Sequence, residues 1–254
     1  MKENTILKDL LAEDFAHREA LANGQAKSSS FQQRKSAFQQ FETLGFPTPR
    51  NEEWKYSNVK NLVNESYSFN RPGDLTEADL ASLSIPDLVG NIIYFVNGVY
   101  QPDLSRVVSP AEEVLISSLR EARKTHPDLL ESYFNKLAKN GEEAFTALNT
   151  AFADDGLFIH VPEGKVVEQP VILRFVSDAR SENTGCMSRV IIAAEKNAQL
   201  KFVESFRTIG DGKVFTNMVT EVSVAPSANV EYYKVQIESG NTHHIGTTQV
   251  RMLD

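Results

Sequence analysis

The pattern of the sequence changes after Gly156, and this change restricts the possible folds more than any other feature. Helical spacing of apolar residues ends there. Short runs rich in β-branched and aromatic residues follow, at 157–161, 171–176, 190–194, 200–206, 219–225 and 230–237. Corners of small and polar residues join several of the runs, at 162–164, 195–198 and 226–229. Runs of this length between such corners predict a series of short β-strands.

Two of these units repeat at a spacing of about 30 residues. Residues 192–194 and 198–202 resemble residues 222–225 and 228–232. A period in this range is typical of repeat architectures, in which each coil buries its inner face against the next. We therefore predict a parallel β-helix. The alternative is an antiparallel sandwich, which would need more two-residue hairpin turns than the sequence offers, although Asp211-Gly212 is a candidate.

The residues before this region are predicted to begin with two helices that pack as a hairpin. The first carries apolar residues at spacings of three and four, namely Ile6, Leu7, Leu10, Leu11, Phe15 and Leu21. Asn23-Gly24 is expected to end it, and one of Ser28, Ser29 and Ser30 to cap the next helix. The second helix carries a similar stripe and ends at Gly45; its apolar residues are Phe31, Phe38, Phe41 and Leu44.

Further local signals follow along the chain. Asn97-Gly98 lies between two β-rich runs and predicts a tight hairpin, because this pair supplies the positive φ angles of a two-residue turn. Residues 114–116 are read as one more strand. Short helices are predicted after the caps Thr76 and Ser118, at Pro127, and before Gly156. The fold class is thus α+β and mainly β, with an N-terminal helical region carrying a small β-hairpin over 1–155 and the start of a parallel β-helix core over 156–254.

Charge and cysteine content exclude several classes of protein. The formal net charge is −8, from 34 acidic and 26 basic residues, which argues against binding to nucleic acid or to an anionic membrane. No apolar run approaches the length of a membrane span, and the N-terminus lacks the apolar core of a signal peptide. The single cysteine, Cys186, cannot form an internal disulfide, so a reducing compartment is expected. We therefore expect a cytoplasmic protein.

The sequence contains no strong catalytic or metal-binding motif. His243 and His244 are adjacent, and on a strand they would point to opposite faces, so we expect one exposed and one packed histidine. His160 lies in an apolar run and is expected to be a hydrogen-bonded core residue. Cys186 follows a glycine in what reads as a polar loop, without a neighbour that would activate the thiol. We therefore predict no catalytic residue and no metal site, and we assign no cofactor-binding residue.

An enzyme that acts on carbohydrates is the main alternative function, because β-helices can carry paired carboxylates on one sheet face. The candidate carboxylates are scattered in the sequence; they are Glu204, Glu221, Glu231 and Glu238. Depolymerisation of pectin or alginate by the purified protein would support this alternative. A stand-alone binding solenoid is a third possibility.

The segment 46–56, FPTPRNEEWKY, is expected to begin in an extended conformation because it contains two prolines. Trp54 and Tyr56 are expected to anchor it to the body of the protein. Together with Gly45 and Ser57, this segment resembles the N-terminal signature of SufD, within the SufB/SufD family of the Suf iron–sulfur cluster assembly machinery. Residues 159–164, 169–173 and 231–236 are also similar to SufD, so the resemblance covers essentially the whole chain.

The resemblance implies an N-terminal helical region followed by a right-handed parallel β-helix. It also implies a non-catalytic scaffold that pairs with a SufB-like paralogue and with a SufC-like ATPase. The iron–sulfur cluster would be handled by the assembled complex, and FAD has been associated with such complexes. We expect no cofactor in this chain itself.

The chain departs from the family in its length. SufD-like chains continue through further coils into a C-terminal helical domain, which carries the docking surface for the ATPase and a histidine linked to cluster assembly. We therefore expect a truncated protein with an incomplete β-helix ending at Asp254, and we carry no family site residue onto His243 or His244. The end of the β-helix is expected to be covered by a second copy, by residual order in the crystal or by pairing of the kind seen in the family, and we predict a homodimer in isolation.

Overall fold

The computed structural model describes residues 5–21, 29–69, 71, 73–85, 88–138, 143–152 and 154–253. The predicted helix end at Asn23-Gly24, the candidate cap Ser28 and the last residue, Asp254, lie outside these ranges.

Helices occupy much of the first half of the described chain, and strands occupy most of the second half. The helices are α1 Ile6–Leu21, α2 Ser29–Leu44, α3 Lys60–Val63, α4 Glu77–Leu83, α5 Leu119–Thr125, α6 Pro127–Tyr133 and α7 Ala144–Phe152. The strands of the first half are β1 Ser68–Phe69, β2 Asn91–Val96, β3 Val99–Arg106 and β4 Leu115–Ser118. Those of the second half are β5 Gly156–Val161, β6 Val171–Asp178, β7 Thr184–Ala194, β8 Gln199–Ile209, β9 Val214–Val224, β10 Asn229–Ile237 and β11 Thr242–Met252.

The strands form two sheets, and the chain passes from one to the other with every strand from β5 to β11. Sheet A has the order β11-β9-β7-β5-β4, with β1 paired to β7, and sheet B has the order β10-β8-β6-β2-β3. All pairs among β5 to β11 are parallel. Each coil therefore contributes one strand to each sheet, which confirms the predicted parallel β-helix.

The repeat in the sequence corresponds to the register of neighbouring coils. Ile192 pairs with Val222 in sheet A, and Leu200 pairs with Val230 in sheet B. The corners repeat in the same way, because Asn197 and Ser227 both adopt a φ of 60° at equivalent positions. Inward-facing apolar side chains stack into one core between the sheets. Outward-facing residues such as Phe158 and Ile191 are buried against α5 and α6, and burial on both faces explains the continuous apolar runs.

Asn97 and Gly98 form the predicted hairpin between β2 and β3, with φ angles of 50° and 78°. The prediction of a possible hairpin turn at Asp211-Gly212 is wrong. These residues connect β8 in sheet B to β9 in sheet A, so they form a corner of the β-helix. Gly210 has a φ of 89° there, and the corner stacks on the one below it through a hydrogen bond from Gly212 N to Ala179 O at 3.1 Å.

The first two helices contact each other and α7 through aromatic side chains. The Phe15 and Phe38 rings stack at 4.2 Å, and both meet Phe152 edge-on at 5.8 Å. The predicted stripe is thus confirmed along the middle of α1. Its two end residues do not join the core, because Ile6 is 53% exposed and Leu21 is 65% exposed.

Candidate functional site

Trp54 anchors the proline–tryptophan segment 46–56, as predicted. A 3₁₀ turn, Glu52–Trp54, follows the two prolines. The Trp54 ring lies 5.2 Å from the Phe145 ring, and Phe46 lies 5.6 Å from the same ring. The segment is therefore attached to α7 and to the aromatic core of the helical region.

Tyr56 does not anchor this segment, and that part of the prediction is wrong. Its side chain is 91% exposed. The chain turns at Lys55 and Tyr56 directly after the 3₁₀ helix, so the Tyr56 ring points to solvent while the Trp54 ring points inward. The Tyr56 ring is contacted by the Lys55 ammonium at 5.4 Å from the ring centroid.

A groove of about 540 Å³ lies between this segment and β11. Trp54 and Leu62 supply apolar wall, while Glu53, Glu143 and His243 add titratable groups. The groove is one candidate binding surface of the described chain.

The structure places His243 and His244 on opposite faces of β11. His243 lines the groove, and burial, with the nearby Lys213 ammonium, lowers its pKa. His244 points between the sheets, where its Nδ1 lies 2.9 Å from a Glu238 carboxylate oxygen and its ring meets Phe206 edge-on at 4.6 Å. Both histidines are half-buried. The expectation of one exposed histidine is thus wrong, because residues of the helical region, among them Trp54 and Leu62, line the groove beside His243.

Glu204 is the centre of a polar cluster inside the β-helix. Its side chain is fully buried and accepts hydrogen bonds from Thr220 Oγ1 at 2.7 Å and from the Tyr232 hydroxyl at 2.6 Å. Lys234 Nζ lies 3.5 Å from the same carboxylate. Burial and the carboxylate raise the pKa of Tyr232, which keeps the phenol protonated as a donor. The cluster links β8, β9 and β10, so the structural role of Glu204 is to hold adjacent coils together.

Arg189 and Glu221 form an ion pair on the outer face of sheet A, beneath the helical region. Their side chains are 0% and 1% exposed, and the closest N–O distance is 2.7 Å. The Glu221 carboxylate also accepts hydrogen bonds from the backbone N–H groups of Asn135, Leu137 and Ala138, at 3.0, 2.6 and 3.1 Å. The pair therefore connects β7 and β9 to the chain that follows α6.

Arg189 was not among the residues predicted from the sequence, although the sequence contains a signal for it. Arg189 and Glu221 are the single charged residues of the β-rich stretches 184–194 and 214–224, and a charge in such a stretch is expected to be paired. Arg189 pairs in register with Val219, so Glu221 lies two residues further along the same face. The repeat spacing could therefore have suggested this pair.

Cys186 lies within β7 and points between the sheets, so its assignment to a polar loop is wrong. It is 7% exposed, and its Sγ lies 3.5 Å from Ser177 Oγ. The flanking Gly185 and Ser188 gave the segment a loop-like composition, but all eleven residues of β7 are buried. Burial raises the pKa of the Cys186 thiol to about 11.

We expect iodoacetamide to alkylate Cys186 at least about a hundredfold more slowly in the folded protein than after denaturation, at about pH 8. The raised pKa leaves little thiolate at that pH, and burial excludes the reagent. Mass spectrometry of timed samples measures the rate. The matched control is an exposed thiol introduced by Ser57→Cys in a Cys186→Ala background, which should react at the denatured rate. Equal rates for Cys186 and the control would contradict the buried position.

His160 is hydrogen-bonded, as expected, but it is not a core residue. Its side chain is 15% exposed, and Nε2 lies 3.2 Å from Glu195 Oε1. The same carboxylate accepts a hydrogen bond from the Tyr133 hydroxyl, whose pKa is raised to about 12, mainly by burial. His160 faces α6 from the outer side of sheet A, and the expectation of a core position is wrong because β5 turns this side chain outward.

The four candidate carboxylates do not converge on one site. Glu204 points inward and Glu221 points outward, and each is held by the structural contacts described above. Glu231 lies 3.5 Å from Lys201, and Glu238 contacts His244. In the part of the chain that the structure describes, no group of three or more His, Cys, Asp or Glu residues is arranged to hold a metal ion. The described geometry therefore does not favour the carbohydrate-enzyme alternative.

Among the described helices, none is both long and apolar enough to cross a membrane.

Two family models match the chain in succession. The model described as "SufBD protein N-terminal region" matches residues 6–173, and the model described as "SUF system FeS cluster assembly, SufBD core domain" matches residues 175–254. Both the helical region and the β-helix are thus covered.

Curated relatives carry the same kind of description. An iron–sulfur cluster assembly SufBD family protein of Synechocystis is 24% identical over 240 residues, which cover 91% of this chain and 53% of the relative. The iron–sulfur cluster assembly protein SufD of Bacillus subtilis is 27% identical over 219 residues, which cover 84% of this chain and 49% of the relative. A SufBD family protein of Arabidopsis thaliana is 28% identical over 160 residues, which cover 61% and 34%. The chain spans about half the length of the first two of these relatives.

Proposed function

Because the chain belongs to the SufBD family of iron–sulfur cluster assembly proteins, we propose that it is a non-catalytic scaffold subunit of a Suf complex. The observation that carries this proposal is the match of the two family models to the helical region and the β-helix. The described structure agrees with it, because the charged residues inside the fold are engaged in contacts between its own elements. Glu221 fastens the helical region to sheet A, and Glu204 joins neighbouring coils.

The proposed partners are a SufB-like paralogue and a SufC-like ATPase, both in the context of the full-length protein. We also propose that the isolated chain forms a homodimer, and light scattering at rising protein concentration measures whether one forms.

Co-purification tests the proposed partners. The full-length protein, tagged and co-expressed with the SufB-like and SufC-like proteins of the same organism, is expected to retain both through affinity purification and gel filtration under reducing conditions. A tagged unrelated acidic protein serves as the control for adventitious capture. Failure to retain the SufB-like partner would overturn the proposal.

We further propose that this chain holds no cofactor of its own and that the iron–sulfur cluster is cargo of the assembled complex, as is any FAD. Metal analysis and absorption spectra of the chain and of the complex distinguish the two locations. We propose a cytoplasmic location for the same complex, which cell fractionation checks. Stoichiometric iron or flavin on the isolated chain would contradict the first part of this proposal.

A further inference from the structure

The interior of the β-helix contains a small cavity at the level of Cys186. In-register pairing stacks Cys186 of β7 beside Thr216 of β9, and Phe175 of β6 beside Phe206 of β8. The two phenylalanine rings lie 5.0 Å apart and form one wall. The opposite wall belongs to sheet A and contains Cys186, Ser188 and Thr216 together with Met218, and Ser177 of β6 adds a further hydroxyl group. Every residue that lines the cavity is buried.

Two hydroxyl groups at this cavity lack a partner among the described residues. Ser188 is 3% exposed and Thr216 is 5% exposed, and neither Ser188 Oγ nor Thr216 Oγ1 makes a hydrogen bond within the described chain. A buried hydroxyl without a partner is costly, and such groups in folded proteins are usually satisfied by protein atoms or by an ordered water. The hydroxyl of Ser177 and the thiol of Cys186 lie 3.5 Å from each other beside them.

The size and lining of the cavity restrict what it can bind. The space available to the centre of a water-sized sphere is about 10 Å³, which is close to the minimum for one water molecule. An apolar guest would leave both hydroxyls unsatisfied. An ion would lack a counter-charge, because no charged side chain lines the cavity. A water molecule fits, since it can both donate and accept and since internal waters typically make two to four hydrogen bonds.

We propose that this cavity is an internal water site, in which one water bridges Ser188 Oγ and Thr216 Oγ1. The bridge joins β7 to β9 at the point where the stacked core changes from valine and isoleucine, at Val190 and Ile192, to smaller polar residues. At the level of Ser188 and Thr216, the water fills space that a larger side chain would otherwise occupy. The Ser177 hydroxyl and the Cys186 thiol provide further contacts.

A crystal structure of the protein at a resolution that shows other internal waters tests the proposal. The expected result is a single peak within about 2.7–3.2 Å of Ser188 Oγ and Thr216 Oγ1. In the double variant Ser188→Ala/Thr216→Val this peak should be lost. The control is Thr247→Val, which makes the same change on the outer face of β11 away from the cavity and should leave the peak in place.

Each other outcome counts against the proposal. A cavity without density in the unmodified protein would overturn it, as would hydroxyls that turn to backbone carbonyl oxygens. A peak that persists in the double variant would show that Ser188 and Thr216 are not its ligands. If the double variant does not fold, the unmodified protein and the single variant Ser188→Ala still decide, because that variant should weaken or displace the peak.

Discussion

Replacement of Glu221 by alanine is expected to lower the free energy of unfolding by about 3–5 kcal/mol. The change removes one partner of a fully buried ion pair and leaves the Arg189 guanidinium without its carboxylate. It also removes the acceptor for the three backbone N–H groups at Asn135, Leu137 and Ala138. Unpaired charge and unsatisfied donors in the interior both carry a large desolvation cost.

Denaturant-induced unfolding, followed by circular dichroism, measures this effect. The matched control is Glu231→Ala, which removes a carboxylate from β10, the next strand along the chain, where Glu231 lies at the surface beside Lys201. Exposed pairs of this kind contribute little, so the control should change stability by less than about 1 kcal/mol. Equal stabilities for the two variants would contradict the role assigned to Glu221.

Replacement of Gly210 by alanine is expected to cost at least about 2 kcal/mol of stability. Gly210 has a φ of 89°, a conformation that side chains with a Cβ rarely adopt. A Cβ at this position would also lie 2.6 Å from Arg180 N and 2.7 Å from Arg180 Cα, in the corner of the preceding coil. The strain cannot be relieved by a rotamer change, because the obstructing atoms belong to the backbone.

Two other glycines separate the contributions to this cost. Gly164 has a φ of 71° with no atom within 4 Å of the added Cβ, so Gly164→Ala should show the conformational cost alone. Gly240 also has open space around the added Cβ, and it lacks a positive φ in the strained range, so Gly240→Ala should be close to neutral. Thermal unfolding of the three variants should therefore rank Gly210→Ala as the least stable. A Gly210→Ala variant as stable as Gly164→Ala would show that the corners are not stacked as described.

The β-helix could be predicted because its repeat is encoded in side chains that must stack. Ile192 and Val222 fill equivalent inner positions, and the alternation around them follows directly from strand geometry. The helices of the first half and the Asn97-Gly98 turn could be predicted for a different reason, since their signals depend on neighbouring residues alone. Positions that depend on contacts between distant segments were harder to predict.

Cys186 and His160 illustrate that limit. The segment around Cys186 is composed of small and polar residues, and only the cavity between the coils explains why such residues face inward there. His160 alternates with apolar neighbours, so the sequence does not show which sheet face is covered by α6. Prediction of the ion pair of Arg189 would have required both the strand register and the position of the helical region that covers it. The boundary between the predicted regions 1–155 and 156–254 stays a prediction. Strand β2 lies before this boundary and pairs in sheet B with β6, which lies after it.

The pairing of β2 with β6 has a consequence for the order in which the protein folds. Tyr94 and Arg174 are partners in register and are 80 residues apart, whereas coil-to-coil contacts such as that of Lys213 with Asn183 span 30 residues. Closing the longer loop costs slightly more chain entropy and joins residues that leave the ribosome much later. We therefore expect the first coil to form more slowly than the following coils, each of which can add to a finished edge over a short loop. Folding of the β-helix should thus resemble growth from a seed, and the seed includes residues of the N-terminal half.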